Sequence, residues 1–175
     1  MPEPEGENAP LNFRSGLSLY PGQLEAIQGV LTRLKDAIPA RLILLVDTSG
    51  QLVTSIGDSQ GIDLTALGSL VAGDLAASQE IARLTGEFQE FQMVLREGEH
   101  SHMILSEAGN HLVFLALFSK EVPLGWARKL IQKAAAILKA QSIAPENPEE
   151  NPFNPDITGD LTDLFDDALD DIWKG

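Results

Sequence analysis

Two short blocks of uninterrupted apolar residues constrain this chain more than any other feature. One is Leu42-Ile43-Leu44-Leu45-Val46, and the other runs from Leu112 to Phe118. Side chains on a strand point alternately to its two faces, so a strand apolar at every position must be covered on both. Turn chemistry bounds each block: Asp47-Thr48-Ser49-Gly50 follows the first, and Ala108-Gly109-Asn110 precedes the second. A sheet built around these two strands needs helices on both of its sides.

Helical spacing supplies them. Leu24, Ile27, Leu31, Leu34 and Ile38 predict a helix over 23–38, with Pro21 near its start and Pro39 ending it. Asp63 opens a longer helix of about 22 residues, roughly six turns. Its apolar stripe is Leu64, Leu67, Val71, Leu75 and Ala82. Its other side carries Thr65, Ser69, Ala72, Ala76 and Gln79, with Gly68 and Gly73 nearby. That side reads as small and flat rather than charged, so a further body is expected to pack there. Pro123 opens a last helix to about residue 140, with Ala127, Leu130, Ile131, Ala134, Ile137 and Leu138 inward. Arg128, Lys129, Lys133 and Lys139 form its wet side.

The remaining strands alternate more. They are expected at 52–57, at 88–97 with Phe91, Met93 and Leu95 on the pattern, and at 100–107. The resulting order, α-β-β-α-β-β-β-α, implies a mostly antiparallel sheet. The expected fold is a three-layer α/β/α domain around a five-stranded sheet. The long middle helix takes one face, the first and last helices the other, and the third strand an edge.

Four segments follow from this pattern: a flexible arm at 1–19, the folded domain at 20–140, a Pro-rich acidic linker at 141–158, and an amphipathic acidic helix at 159–175. In the last, Leu161, Leu164, Phe165, Ala168, Leu169 and Ile172 fall on one stripe, and every aspartate lies off it. So short a helix is marginal alone, which predicts order on docking. Net charge is −14 for the chain. From residue 141 onward ten carboxylates stand against Lys174, a net −9, which leaves the body at −5. Such a balance argues against a nucleic-acid partner, which needs a basic footprint, and against anionic membrane surfaces. With no run of about 18 apolar residues and no basic, apolar leader, a cytoplasmic location is expected.

No constellation of catalytic residues stands out, and no phosphate-loop, nucleophile-elbow or zinc-protease motif occurs. There is no cysteine, and the only nitrogen ligands are His100, His102 and His111. His100 and His102 are expected on one strand face, with His111 across the hairpin and roughly 16 Å from His102 at the strand rise. The trio is not expected to meet on one metal, and no metal or cofactor is expected.

The segments VDTSGQLVTSIG, GIDLTALGSLVAGDLAASQEIARLTGE, REGE and LVFLALFSKEVPLGWARKLIQKA, in that order, resemble the bacterial roadblock / dynein light chain domain family. The terminal LTDLFDDALDDIWKG is similar to the tail of its MglB-like branch, the partners of Ras-like GTPases of the MglA type. The resemblance spans 41–140 and implies a profilin/longin-like fold. It also implies a homodimer in which the middle helices pair antiparallel and the third strands join, putting Gly73, Ala77, Phe91 and Met93 at the interface. Thr65, Ser69, Ala72, Ala76, Gln79, Glu80 and Arg83 are then the row expected to face the small Ras-like GTPase. Such dimers activate GTP hydrolysis in cell polarity or motility by repositioning the GTPase's own switch residues, and are not themselves enzymes. A scaffold that tethers without stimulating is the alternative. The terminal helix is expected to dock through its apolar stripe on the GTPase.

Overall fold

A computed structural model describes residues 9–87 and 93–143, together with Asp167. Three helices and seven strands follow one another in it: β1 (Leu11–Asn12), β2 (Ser18–Leu19), α1 (Pro21–Ala37), β3 (Ala40–Asp47), β4 (Leu52–Gly57), α2 (Leu64–Thr85), β5 (Met93–Glu97), β6 (Ser101–Glu107), β7 (Leu112–Ser119) and α3 (Leu124–Gln141). The main sheet is five-stranded in the order β4-β3-β7-β6-β5, and every neighbouring pair is antiparallel. The two wholly apolar strands, β3 and β7, lie side by side in its interior, in register from Leu42 opposite Leu117 to Asp47 opposite Leu112.

Alternation along these strands divides the core in two. Ile43, Leu45, Phe114, Ala116, Phe118 and Ile104 point to one face, where α1 and α3 pack through Ile27, Leu31, Leu34, Leu130, Ile131 and Leu138. Leu44, Val46, Val113, Leu115 and Leu105 point to the other, against Val71 and Leu75 of α2. The three-layer arrangement therefore has two helices on one side and the long middle helix on the other, as the apolar blocks require.

The helix ends follow from local chemistry. Asp63 caps α2, its carboxylate accepting the N–H groups of Thr65 at 3.0 Å and Ala66 at 3.1 Å. Gly86 ends α2 in the left-handed conformation at φ 75°, which glycine adopts at least cost. At the start of α1 the Gln23 side chain accepts the N–H of Tyr20 at 2.9 Å.

Two expectations need correction. The arm expected up to residue 19 is not loose over 9–19. β1 and β2 form a small antiparallel hairpin, and Leu17 and Leu19 are buried against the α1/α3 core. Ser15 N–H also donates to the Asp47 carboxylate at 3.1 Å. His100, expected on a strand beside His102, lies in the turn before β6. His102 is buried with its ring edge-on to Phe118, while His100 and His111 are exposed in turns at opposite ends of β6. The three do not converge, and among the described residues no cluster could hold a metal ion.

Candidate functional site: the outer face of the second helix

The N-terminal half of α2 packs backbone to backbone on the β3–β4 turn. A Cβ on Gly68 would lie 2.8 Å from the Gly50 carbonyl oxygen, and one on Gly50 would lie 2.7 Å from Ser69 Cα. Backbone meets backbone there, which requires glycine on both sides. Gly50 also sits at φ 87° in the β3–β4 turn. At the edge of the sheet, Arg96 of β5 forms a two-pronged ion pair with Asp74, its Nη2 lying 3.0 Å from Oδ1. The hydrogen bonds and charge of Asp74 raise the Arg96 guanidinium above its usual value. The helix is thus held at two places, and its roll about its own axis is fixed.

That roll decides what faces outward. At about 100° per residue, Leu70, Gly73, Ala77, Ile81 and Leu84 fall on one narrow arc directly away from the sheet. Leu70 is 70% exposed, Ile81 62% and Leu84 79%. Gly73 and Ala77 are exposed between them, and a Cβ on Gly73 would touch nothing within 4 Å. The outer surface is therefore not simply small and flat: it is an apolar ridge with a low saddle at Gly73 and Ala77. Sequence reading missed Leu70, Ile81 and Leu84. Their signal is present in the sequence, since positions 70, 73, 77, 81 and 84 repeat at helical spacing.

The row expected to meet a partner lies on the flank of this ridge. Thr65, Ser69, Ala76, Glu80 and Arg83 are exposed there, and Gln79 is half-buried. Glu80 and Arg83 form an ion pair one turn apart. Ala72 departs from the expectation: it is 7% exposed, because it follows Gly68 by one turn on the side pressed against the sheet. Beneath Ala76 and Gln79 a notch of about 110 Å³ opens toward Thr48 in the β3–β4 turn, Glu107 at the end of β6 and Asn110 in the β6–β7 turn. The Oε2 atom of Glu107 is buried without a hydrogen-bond partner among the described residues.

Of the expected dimer contacts, Gly73 and Ala77 lie on the outer ridge. Met93 starts the edge strand β5, half-buried, and leans on the α1/α3 side of the core. Among the described residues, nothing pairs with the outer edge of β5. Phe91 lies outside the described residues, as do Leu161, Leu164, Phe165, Ala168, Leu169 and Ile172 of the terminal stripe.

The chain is thus an α/β/α domain with helices on both faces of its sheet and an apolar helix ridge turned outward. The Roadblock/LC7 domain model matches residues 27–118, more than half of the chain, and the chain belongs to that family. Among solved structures it is similar to Myxococcus xanthus MglB, with 36% identity and a TM-score of 0.62 over 66% of this chain and 93% of that one. It is also similar to the gliding protein MglB from Thermus thermophilus, with 30% identity and a TM-score of 0.64 over 72% and 95% of the two chains. A Roadblock/LC7 domain from Streptomyces avermitilis, 13% identical with a TM-score of 0.57 over 63% and 92%, shares the fold. No curated protein matches the sequence.

Proposed function

We propose that this chain is an MglB-like regulator that acts as a homodimer on a small Ras-like GTPase of the MglA type. The observation that carries the reading is the exposed ridge of Leu70, Ile81 and Leu84. Fully burying each such side chain is worth about 1.5–3 kcal/mol, and a two-fold axis crossing the saddle at Gly73 and Ala77 buries all three in both copies at once. Gly73 supports this further. An exposed glycine inside a helix costs roughly 0.5–1 kcal/mol relative to alanine, and nothing among the described residues requires it. A close-approaching twin helix does. The free outer edge of β5, with Phe91 and Met93, extends the same interface.

Pairing two ridges leaves the flanking rows exposed side by side on the dimer. Thr65, Ser69, Ala76, Gln79, Glu80 and Arg83 then form the platform that meets the GTPase. Ala72 stays in the core and is not part of it. The chain donates no reacting group: it stabilises a conformer in which the GTPase's own switch residues are correctly placed. Similarity to the two MglB structures supports this assignment. The setting is cytoplasmic, in cell polarity or motility. The terminal stripe from Leu161 to Ile172 docks on the same GTPase away from its switches.

Single-turnover GTP hydrolysis by the MglA-type GTPase of the same genome, with and without this protein, tests the proposal. Stimulation is expected, and Ala76→Arg should abolish it while the fold and the dimer persist. Binding without stimulation would make the protein a tethering scaffold. Full stimulation by Ala76→Arg would remove the flank of α2 from the mechanism.

A further inference from the structure

The outer face of α3 has the opposite electrostatic character from the rest of the chain. α3 carries Arg128, Lys129, Lys133 and Lys139 and no acidic residue, in a protein of net charge −14. Arg128, Lys129, Gln132, Ala136 and Lys139 are exposed along one arc, opposite the positions buried against the sheet. Among the described residues, no carboxylate pairs with Arg128, Lys129 or Lys139. Four of the chain's twelve basic residues thus lie on a single eighteen-residue helix.

We infer that this face is the resting dock for the chain's own acidic C-terminal segment, residues 160–172. Three relationships select that occupant. The first is charge: Asp160, Asp163, Asp166, Asp167, Asp170 and Asp171 provide six carboxylates with no base among them. The second is length. Arg128 and Lys139 are eleven positions apart, as are Asp160 and Asp171; α3 covers that spacing in about 16 Å, and a segment that docks as the helix its apolar period predicts matches it end to end. The third is reach. The chain leaves α3 at its C-terminal end, where Ile143 is 67% exposed. Seventeen residues then separate Ile143 from Leu161. Such a linker spans roughly 25 Å as a coil and about 60 Å fully extended, against about 27 Å for the whole of α3. The tether holds the segment near its dock at an effective concentration in the millimolar range.

The cavity beside the exit point gives the apolar stripe a seat. It measures about 410 Å³ and lies between the β1–β2 hairpin and the end of α3, lined by Leu17, His111, Lys139 and Ile143 among others. Lys139 borders both the cavity and the cationic arc. Leu161, Leu164 and Phe165 therefore have somewhere to turn while the aspartates lie along α3. This dock is on the opposite side of the sheet from α2. A stowed tail leaves the ridge and its flank open, and an arriving partner competes for the tail alone.

The test uses the full chain with no partner present, so its outcome is independent of the GTPase assignment. The chain contains no cysteine, so G175C accepts a single nitroxide label. In a nitrogen-15 spectrum recorded at about 20 mM salt, the amide signals of residues 128–139 should broaden selectively. They should recover at about 500 mM salt, where the screening length falls below roughly 5 Å. They should also recover in an Arg128→Glu, Lys129→Glu, Lys139→Glu variant whose remaining spectrum shows an intact fold. Absent or uniform broadening at low salt overturns the proposal, and so does broadening centred on α2 or indifferent to the triple variant. Mixing labelled unenriched chain with unlabelled enriched chain should give no broadening. Broadening in that mixture would assign the contact to a second copy and overturn the self-docking assignment.

Discussion

The side-chain amide of Gln23, in the first turn of α1, donates to the main-chain carbonyl of Gln141 at the end of α3, at 2.9 Å. Its second N–H lies 3.0 Å from the carbonyl of Ile143, and its oxygen accepts the N–H of Tyr20. One side chain, 1% exposed, thus closes the start of one helix and the end of another. The carbonyls at a helix C-terminus have no partner within the helix and must find one elsewhere.

Gln23→Leu should therefore destabilise the fold by about 1–3 kcal/mol, the cost of leaving partly buried acceptors unpaired. Gln23→Glu should do no better, since a carboxylate brings only acceptors to two carbonyls. Urea denaturation of the three proteins checks this. A change below about 0.5 kcal/mol for Gln23→Leu, the range of an ordinary surface substitution, would mean that the two helix ends are held by packing alone.

Asp47 is the second buried polar anchor. Its carboxylate accepts the Ser49 hydroxyl at 2.7 Å, the Gln51 N–H at 2.7 Å, the Ser49 N–H at 3.1 Å and the Ser15 N–H at 3.1 Å. Burial by itself pushes this carboxyl up, but the donors around it outweigh burial and hold it below its ordinary value of 3.8. The stabilisation is then fully present above the unfolded value. It is lost as pH falls below about 4, the ordinary carboxylate range, toward the folded value. Asp47→Ala should cost about 1–3 kcal/mol at neutral pH. Denaturant titrations of both proteins from pH 7 downward should show this gap shrinking below the ordinary carboxylate range. A gap independent of pH would show that the ionised form is not the one stabilised.

The same anchor explains what was legible in the sequence. β3 and β7 could be read directly, because short uninterrupted apolar runs bounded by turn residues fit a strand covered on both sides. The helices could be read from one stripe each. The β1–β2 hairpin could not, since Leu17 and Leu19 are too few to show a period and their fixing point, Asp47 to Ser15, is 32 residues away in sequence. The outer ridge of α2 was hidden for a different reason. Its small members Gly73 and Ala77 made that side read as flat, and which large residues join them outward depends on a roll set by Gly68 against Gly50 and by Asp74 against Arg96.

Gly68 and Gly73 sit five residues apart on one helix and should respond oppositely to alanine. Gly68→Ala drives a Cβ to 2.8 Å from the Gly50 carbonyl oxygen, so the helix must lift from the turn, at a cost of about 1–3 kcal/mol. Gly73→Ala meets open space in the single chain and should stabilise it by roughly 0.5–1 kcal/mol. It should also weaken self-association, because in the proposed dimer the saddle is where the twin helix comes closest. Thermal melts at low concentration, paired with sedimentation over a concentration series, separate the two effects. Tighter association in Gly73→Ala would move the two-fold axis away from the saddle.

The ridge itself gives the sharpest test of association. Ile81 and Leu84 are 62% and 79% exposed, so replacing both with lysine removes almost nothing from the core of one chain. The melting temperature measured under monomeric conditions should barely move. In a dimer the same change removes two apolar anchors from each copy and brings like charges together across the axis. At about 1.5–3 kcal/mol for each side chain, even one copy's pair weakens the dimer by roughly 10²- to 10⁴-fold. Sedimentation equilibrium at micromolar concentration should therefore show dimers for the unaltered protein and monomers for Ile81→Lys/Leu84→Lys. GTPase stimulation should be lost with the dimer, since the partner platform spans both flanks. A variant that remains dimeric would place the self-contact elsewhere, with the edge of β5 next in line. A variant that becomes monomeric yet still stimulates hydrolysis would show that one flank of α2 suffices for the partner.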